Sequence, residues 1–162
     1  MKHNTRTIVL SALLAALTCI ATMVIRIPSP FKGYLNLGDS VVLLSGWLLP
    51  PVYGALAAGI GSALADLFSG YVTYAPATFL IKALMALAAH FLSKHIRSGA
   101  GRLLSGLAAI LILTVGYLLF EGILYGFAPS LVNVLPNALQ GAAGLVLGLA
   151  MVRIAKHTNF TP

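Results

Sequence analysis

The sequence has few charged residues and very few acidic ones. Asp, Glu, Lys and Arg make up 8% of the chain, and its acidic residues are Asp39, Asp66 and Glu121. Soluble domains are about 25% charged and about 45–50% apolar, whereas 59% of this chain is apolar. A domain of 162 residues leaves much of its surface exposed, so one core could not hold this excess. The composition predicts a membrane protein whose surface is mostly covered by lipid.

The sequence also lacks the residues that several chemistries need. Its one cysteine, Cys19, excludes an internal disulfide framework and a cysteine-based metal cluster. The four histidines are scattered and predict no metal site. No GxxxxGK[ST] phosphate loop is present, so the chain cannot supply its own ATP hydrolysis. We therefore expect no catalytic residues, no metal and no cofactor in this chain, and its basic residues show no pattern typical of nucleic-acid binding.

Apolar segments separated by proline, glycine or basic residues predict a single all-α domain, a bundle of six transmembrane helices. The predicted helices span about residues 7–25, 39–49, 52–68, 75–93, 103–127 and 131–154. A spanning helix needs about 20 apolar residues, but the second has about 11, which reach only about 16 Å at 1.5 Å per residue. It must start earlier, tilt or thin the bilayer. The alternative is a five-helix protein in which residues 39–49 are re-entrant.

The basic residues predict the orientation of the bundle. With the N-terminus inside, seven of them are cytoplasmic: Lys2, Arg6, Lys94, Arg97, Arg102, Arg153 and Lys156. Two, Arg26 and Lys32, are then external. Because cytoplasmic loops carry the excess of Lys and Arg, we expect both termini in the cytoplasm.

Polar side chains recur at helical spacing on three predicted helices. These stripes are Tyr74, Thr78 and Lys82 on the fourth segment, Tyr117, Glu121 and Tyr125 on the fifth, and Asn133, Asn137 and Gln140 on the sixth. Placing a polar group inside a bilayer costs free energy, so such groups are functional candidates by default. The predicted topology places all three stripes in the outer half of the membrane. We expect them to form one outward-opening pocket for a small molecule.

Each stripe also has a structural interpretation. Lys82 and Glu121 could pair with each other to hold the bundle together. Tyr74 and Tyr125 could belong to the interfacial aromatic belt, where tyrosine is enriched. Asn133 could cap the sixth helix.

The remaining polar positions have similar alternatives. Asn137 and Gln140 could be interhelical hydrogen-bonding residues. Asp39 is more typical of a helix cap than of a substrate-binding residue. The same holds for Asp66, which lies near a helix end.

Four motifs, taken in order, resemble a known family. They are Ala12-x-x-x-Ala16, whose small residues permit close helix approach, Tyr34-Leu-Asn-Leu-Gly-Asp39, Gly59-Ile-Gly-Ser-Ala-Leu-Ala-Asp66, and Tyr74-Ala-Pro-Ala-Thr-Phe-Leu-Ile-Lys82. Over nearly its whole length the chain resembles the substrate-binding S components of energy-coupling factor (ECF) transporters, which take up vitamins and their precursors in prokaryotes.

The resemblance implies a function without covalent chemistry. It implies capture of a vitamin from outside, with the first loop as a lid and with Asn36 and Asp39 among the binding residues. It also implies a prokaryotic plasma membrane and docking, partly through Ala12 and Ala16, on a transmembrane coupling subunit bound to two ATPases. The protein would then topple in the bilayer to deliver its substrate.

The side chains of the stripes suit a small, flat, polar heterocycle, such as a pyridoxine-like or an aminopyrimidine (thiamine-related) molecule. Three alternatives remain open. One is a stand-alone secondary carrier with Glu121 or Asp66 as a proton relay; the others are a membrane enzyme and a membrane scaffold.

Overall fold

A computed structural model describes residues 5–29, 32–96 and 100–157, and this part of the chain is a helical bundle. Its six main helices are α1 (Thr5–Val24), α2 (Gly38–Leu48), α3 (Pro51–Phe68), α4 (Ala75–His95), α5 (Gly101–Tyr125) and α6 (Val134–His157). A single helical turn (Phe127–Ser130) and a 3-10 turn (Leu131–Asn133) join α5 to α6. The predicted all-α, six-helix class is confirmed.

Five of the helical segments have the length and apolar composition needed to cross a membrane. They are Thr5–Val24, Pro51–Phe68, Ala75–His95, Gly101–Tyr125 and Phe127–Ile154. Large apolar side chains point away from the bundle, and Leu80, Leu111 and Val146 are all more than 60% exposed. In a bilayer these side chains contact lipid, as the composition predicts.

The short helix α2 lies inside the bundle. All residues from Gly38 to Trp47 are buried, and α2 packs against α1, α3, α4 and α6. Protein rather than lipid surrounds it, so its length need not match the thickness of the bilayer. It does not start earlier as a helix, because a β-hairpin precedes it. Asp39 lies inside the first turn rather than at the cap, which is Leu37, so the cap interpretation of Asp39 is wrong.

Two short strands replace the first predicted loop. Strands β1 (Arg26–Pro28) and β2 (Tyr34–Asn36) pair antiparallel, with Arg26 opposite Asn36 and Pro28 opposite Tyr34. Tyr34 and Asn36 are two positions apart, so their side chains leave the same face of the strand. The hairpin thereby presents a defined set of groups to the bundle.

Glycines on α6 allow this helix to approach α2 closely. A Cβ atom added at Gly144 would lie 2.7 Å from the Cβ of Asp39, closer than two carbon atoms can pack. Gln140, one turn earlier on α6, is thereby brought within hydrogen-bonding distance of Asp39. The small residues of α6 therefore serve internal packing.

Gly126 ends α5 two residues before the predicted boundary. Its φ of +93° is a conformation that glycine adopts readily and other residues rarely adopt. The chain turns there and begins the return toward α6. This reversal places the end of α5 beside the beginning of α6.

Candidate functional site

A polar cavity lies at the end of the bundle where α1, α3 and α5 finish and α4 and α6 begin. The β-hairpin covers it. Nine of the predicted site residues line this cavity: Asn36, Tyr74, Thr78, Lys82, Tyr117, Glu121, Asn133, Asn137 and Gln140. The three stripes therefore meet at one depth, as expected from the spacing. Their contact with a substrate stays a prediction.

Lys82 and Asp39 form an ion pair beneath the cavity. The Lys82 ammonium donates to Asp39 Oδ1, and both side chains are at most 2% exposed. Gln140 Nε2 donates to the other carboxylate oxygen at 2.7 Å. The interpretation that Lys82 pairs with Glu121 is therefore wrong. Asp39 lies behind the cavity wall and does not line the cavity.

Glu121 has its own set of hydrogen-bond donors. Tyr74 donates its hydroxyl to Glu121 Oε1 at 3.3 Å, and Asn133 donates Nδ2 to Oε2 at 2.9 Å. Tyr74 is only 8% exposed, so it is not an interfacial belt residue. Asn133 ends the 3-10 turn directly before α6, and its side chain donates to Glu121 in the cavity.

Tyr125 is the stripe residue that the structure places elsewhere. It lies one helical turn beyond Glu121, at the last residue of α5, and does not line the cavity. The Lys32 ammonium lies 5.3 Å from the centre of its ring, within the range of a cation–π contact. The periodic stripe continues past the cavity to the outer side of the hairpin, so spacing alone could not locate the rim.

Hydrogen bonds fasten the hairpin to three walls of the cavity. They join Ser29 Oγ to Asn133 Oδ1, Tyr34 OH to Asp66 Oδ1, and the backbone N–H of Asn36 to Gln140 Oε1. The Tyr34 bond is 2.6 Å long. Burial, together with the neighbouring Asp66 carboxylate, raises the pKa of Tyr34 above its usual value. Tyr34 therefore remains a neutral phenol that can donate to Asp66.

The stripe argument missed the α3 wall. Ser62 and Asp66 line the cavity and are four residues apart, the spacing that identified the other stripes. Asp66 was interpreted as similar to a helix cap, but it is 5% exposed and accepts the Tyr34 hydroxyl. The same periodicity applied to α3 would have found both residues.

Aromatic rings follow one side of the cavity in sequence. Ring centres are 4.9 Å apart for Tyr34 and Tyr71, 6.0 Å for Tyr71 and Tyr74, and 5.2 Å for Tyr74 and Phe120. Such rings present flat apolar surface, while the tyrosine hydroxyls add polar groups. Three of these residues, Tyr34, Tyr71 and Tyr74, line the cavity, and neighbouring rings are tilted by 55° and 87°. A planar ligand would therefore meet single ring faces or edges, not one continuous flat wall.

The cavity is narrow with the hairpin in this position. Its volume is about 30 Å³. That volume accommodates about two water molecules. A larger molecule requires the hairpin or side chains to move.

Ala12 and Ala16 do not line this cavity. They lie in an apolar groove between α1 and α3. Both are exposed, and Ala15, Tyr53, Leu56 and Ile60 contribute to the same groove. Small residues four positions apart give the groove a surface that another helix can approach closely, as expected. Binding of a partner in this groove stays a prediction.

The fold and cavity define a helical membrane protein with an enclosed polar compartment at one end of its bundle. The family described as "ECF-type riboflavin transporter, S component" matches residues 2–157. The chain belongs to this family. It is therefore a multi-pass membrane protein and a vitamin-binding transporter subunit rather than an enzyme.

Other known proteins are similar over most of the chain. A Pyrococcus woesei protein described as "Uncharacterized protein in gap 3'region" is 32% identical over 138 residues, 85% of this chain and 93% of its own. The solved S component of a bacterial ECF transporter has a TM-score of 0.78 and 23% identity, covering 96% of this chain and 99% of that one. The S component for biotin from an ECF-type ABC transporter has a TM-score of 0.68 and 18% identity, covering 93% and 91%. At these identities both structures bear on the fold alone.

Proposed function

We propose that this protein captures a flat, nitrogen-containing vitamin or vitamin precursor from outside the cell and presents it to an ATP-driven transport complex. The observation that carries the proposal is the polar cavity beneath the hairpin. Side chains from α4, α5 and α6 line it, and side-chain hydrogen bonds hold the hairpin across it. The positive-inside distribution of Lys and Arg directs this end of the bundle outward.

The chemistry of the cavity supports a pyridoxine-like or aminopyrimidine ligand. The tyrosines that line the cavity offer individual ring faces and edges to a planar ring. Asn137 and Gln140 provide amide donors and acceptors, and Glu121 provides carboxylate oxygens. A small heterocycle with several polar substituents can use all of these groups at once.

Riboflavin is the second candidate substrate, favoured by the description of the matching family. Its three-ring system is also planar, but it is much larger than a single pyridine or pyrimidine ring. It would need a greater displacement of the hairpin from its closed position. The two candidates therefore differ in how far the cavity must open.

Hairpin movement is part of the proposed function. The cavity accommodates only water-sized molecules as it stands, so the hairpin must leave it to admit a vitamin and then close again. Contacts at Asn133, Asp66 and Gln140 are the bonds that break and reform.

The coupling step is proposed for a different surface of the molecule, the apolar groove along α1 and α3. We propose that the groove containing Ala12 and Ala16 receives an apolar helix of a transmembrane coupling subunit, which in turn binds two ATPase subunits. Small exposed residues let two helix backbones approach closely in a membrane. This arrangement separates the substrate cavity from the energy-supplying partner.

The proposal can be tested on purified protein. Native mass spectrometry after gentle extraction should detect a bound vitamin-sized molecule. Calorimetry with pyridoxine, a hydroxymethyl aminopyrimidine, thiamine and riboflavin should then find one class that binds at submicromolar concentration. Failure to bind any of them would contradict the proposed substrates. Uptake by the protein alone in proteoliposomes, driven by a pH gradient, would favour the secondary carrier instead.

A further inference from the structure

Two buried polar groups in the α3 wall of the cavity have no hydrogen-bond partner in the described part of the chain. They are Asp66 Oδ2 and Ser62 Oγ. The Asp66 side chain is 5% exposed and Ser62 is 1% exposed, and both residues line the cavity. A buried polar atom without a partner costs about 1–3 kcal/mol, and more when it is charged. Such atoms require an explanation.

The two groups act from the same face of one helix. Ser62 and Asp66 are four residues apart on α3, so their side chains are neighbours. Tyr34 of the hairpin already occupies Asp66 Oδ1. The second carboxylate oxygen is thereby left to the cavity, where the Thr78 hydroxyl is a close neighbour. That hydroxyl is itself bonded to Tyr117 at 2.9 Å.

The other charged groups that line the cavity are Lys32, Lys82 and Glu121. The Lys32 ammonium lies over the Tyr125 ring. The Lys82 ammonium is paired with Asp39, and both oxygens of Glu121 accept hydrogen bonds. A ligand in this cavity therefore meets an open acceptor at Asp66. A carboxylate only accepts, and a serine hydroxyl can accept as well. A group with two N–H donors satisfies both.

We propose that Ser62 and Asp66 form a subsite for an amino group of the substrate. One amino N–H donates to Asp66 Oδ2 and the other to Ser62 Oγ, while Tyr34 holds Oδ1. This assignment rests on the proposed function and narrows its substrate to a heterocycle that carries an amino group. A substituent that offers only lone pairs would face the carboxylate unfavourably.

The subsite can be tested with matched ligands. One pair is a hydroxymethyl aminopyrimidine and the same pyrimidine without its amino group; the other is pyridoxamine and pyridoxine. Affinities are measured by calorimetry for wild type, Asp66→Asn, Ser62→Ala and Thr114→Val. Thr114 is the matched control because its hydroxyl is also buried without a partner but does not line the cavity. Size-exclusion profiles and thermal unfolding establish that each variant is folded.

In at least one pair, wild type should bind the amino member about tenfold or more tightly than its partner. Asp66→Asn should remove most of that difference, and Ser62→Ala should reduce it without loss of folding. Thr114→Val should preserve it. Ser62→Ala keeps the test decisive if Asp66→Asn fails to fold.

Two results would overturn the subsite while leaving the proposed function in place. One is wild-type protein that binds the amino and non-amino members equally in every pair it recognises; the other is Asp66→Asn and Ser62→Ala variants that weaken both members by the same factor. The latter pattern would mean that these residues only support the hairpin. Wild-type protein that binds none of the four ligands would overturn the proposed substrate class together with the subsite.

Discussion

Asp39 and Lys82 are 43 positions apart in the chain and form an ion pair buried between α2 and α4. Burying two charges is costly, and their mutual attraction offsets that cost only while both are present. Gln140 on α6 joins the same carboxylate. The pair therefore connects three helices directly beneath the cavity.

Removing one member of this pair should destabilise the protein strongly. Lys82→Met leaves the Asp39 carboxylate buried without its cation, and we expect a loss of about 3–5 kcal/mol. The double variant Asp39→Asn with Lys82→Met should be more stable than Lys82→Met alone, because no charge remains and the amide oxygen still accepts from Gln140. Thermal and denaturant unfolding in detergent would measure both. A double variant whose losses simply add would contradict the coupling of the two residues.

Tyr34 should stabilise the closed hairpin for every ligand. Tyr34→Phe removes the hydroxyl that donates to Asp66, and hydrogen bonds to charged groups contribute about 1.5–3 kcal/mol. We expect all ligands to bind about tenfold more weakly, mainly through faster dissociation. Stopped-flow or calorimetric measurements would detect this. Tyr53→Phe, at the other end of α3, is the matched control and should leave affinity unchanged.

The contribution of Tyr34 should also persist at alkaline pH. Its pKa is raised above the ordinary value near 10, so the neutral donor is present below that pH and is lost only as pH rises through the raised value. The affinity difference between wild type and Tyr34→Phe should therefore be constant from pH 7 to about pH 10. A difference that falls by about half near pH 10 would indicate an ordinary, exposed phenol.

A disulfide between the hairpin and α6 should prevent ligand exchange. Ser29 and Asn133 are in direct hydrogen-bonding contact, so Ser29→Cys with Asn133→Cys places two thiols close together in a Cys19→Ala background. Oxidation before adding ligand should block binding, and reduction should restore it, because the closed cavity admits only small molecules. Each single-cysteine variant serves as a control. Equal binding before and after oxidation would show that the hairpin need not open.

Bulky side chains in the α1–α3 groove should disrupt coupling but not substrate binding. Ala12→Leu with Ala16→Leu fills the surface proposed for the coupling subunit, while neither residue lines the cavity. Uptake by the assembled transporter and co-purification of its subunits should fall at least tenfold, with ligand affinity unchanged. Leu17→Phe adds bulk to an exposed position outside the groove and should preserve uptake. Normal co-purification of the double variant would exclude this docking surface.

Local patterns were sufficient for the helices and much of the cavity. Each long helix has its own apolar length, and repetition at i, i+3 or i, i+4 fixes which side chains share a face regardless of their neighbours. Tyr74 and Thr78, Tyr117 and Glu121, and Asn137 and Gln140 could therefore be assigned to the cavity before any contact was known. The same rule, applied to Ser62 and Asp66, would have added the fourth wall.

Partnerships between distant residues could not be read in this way. Periodicity leaves Lys82 equally able to pair with Glu121 or Asp39, and the choice depends on how closely α2 and α4 approach, as they do at Gly46 and Ala86. It also cannot say where a stripe leaves the cavity, which is why Tyr125 was included.

The sequence by itself determined that lipid covers most of the surface, how many helices form and which of their faces are polar. These properties follow from composition and from repeats within single segments. Only the tertiary structure decided that α2 is surrounded by protein, that the first loop is a hairpin bonded to three walls, and that one oxygen of Asp66 faces the cavity. Those properties depend on which surfaces meet, and the free energy of packing between segments is not encoded in the spacing within any one of them.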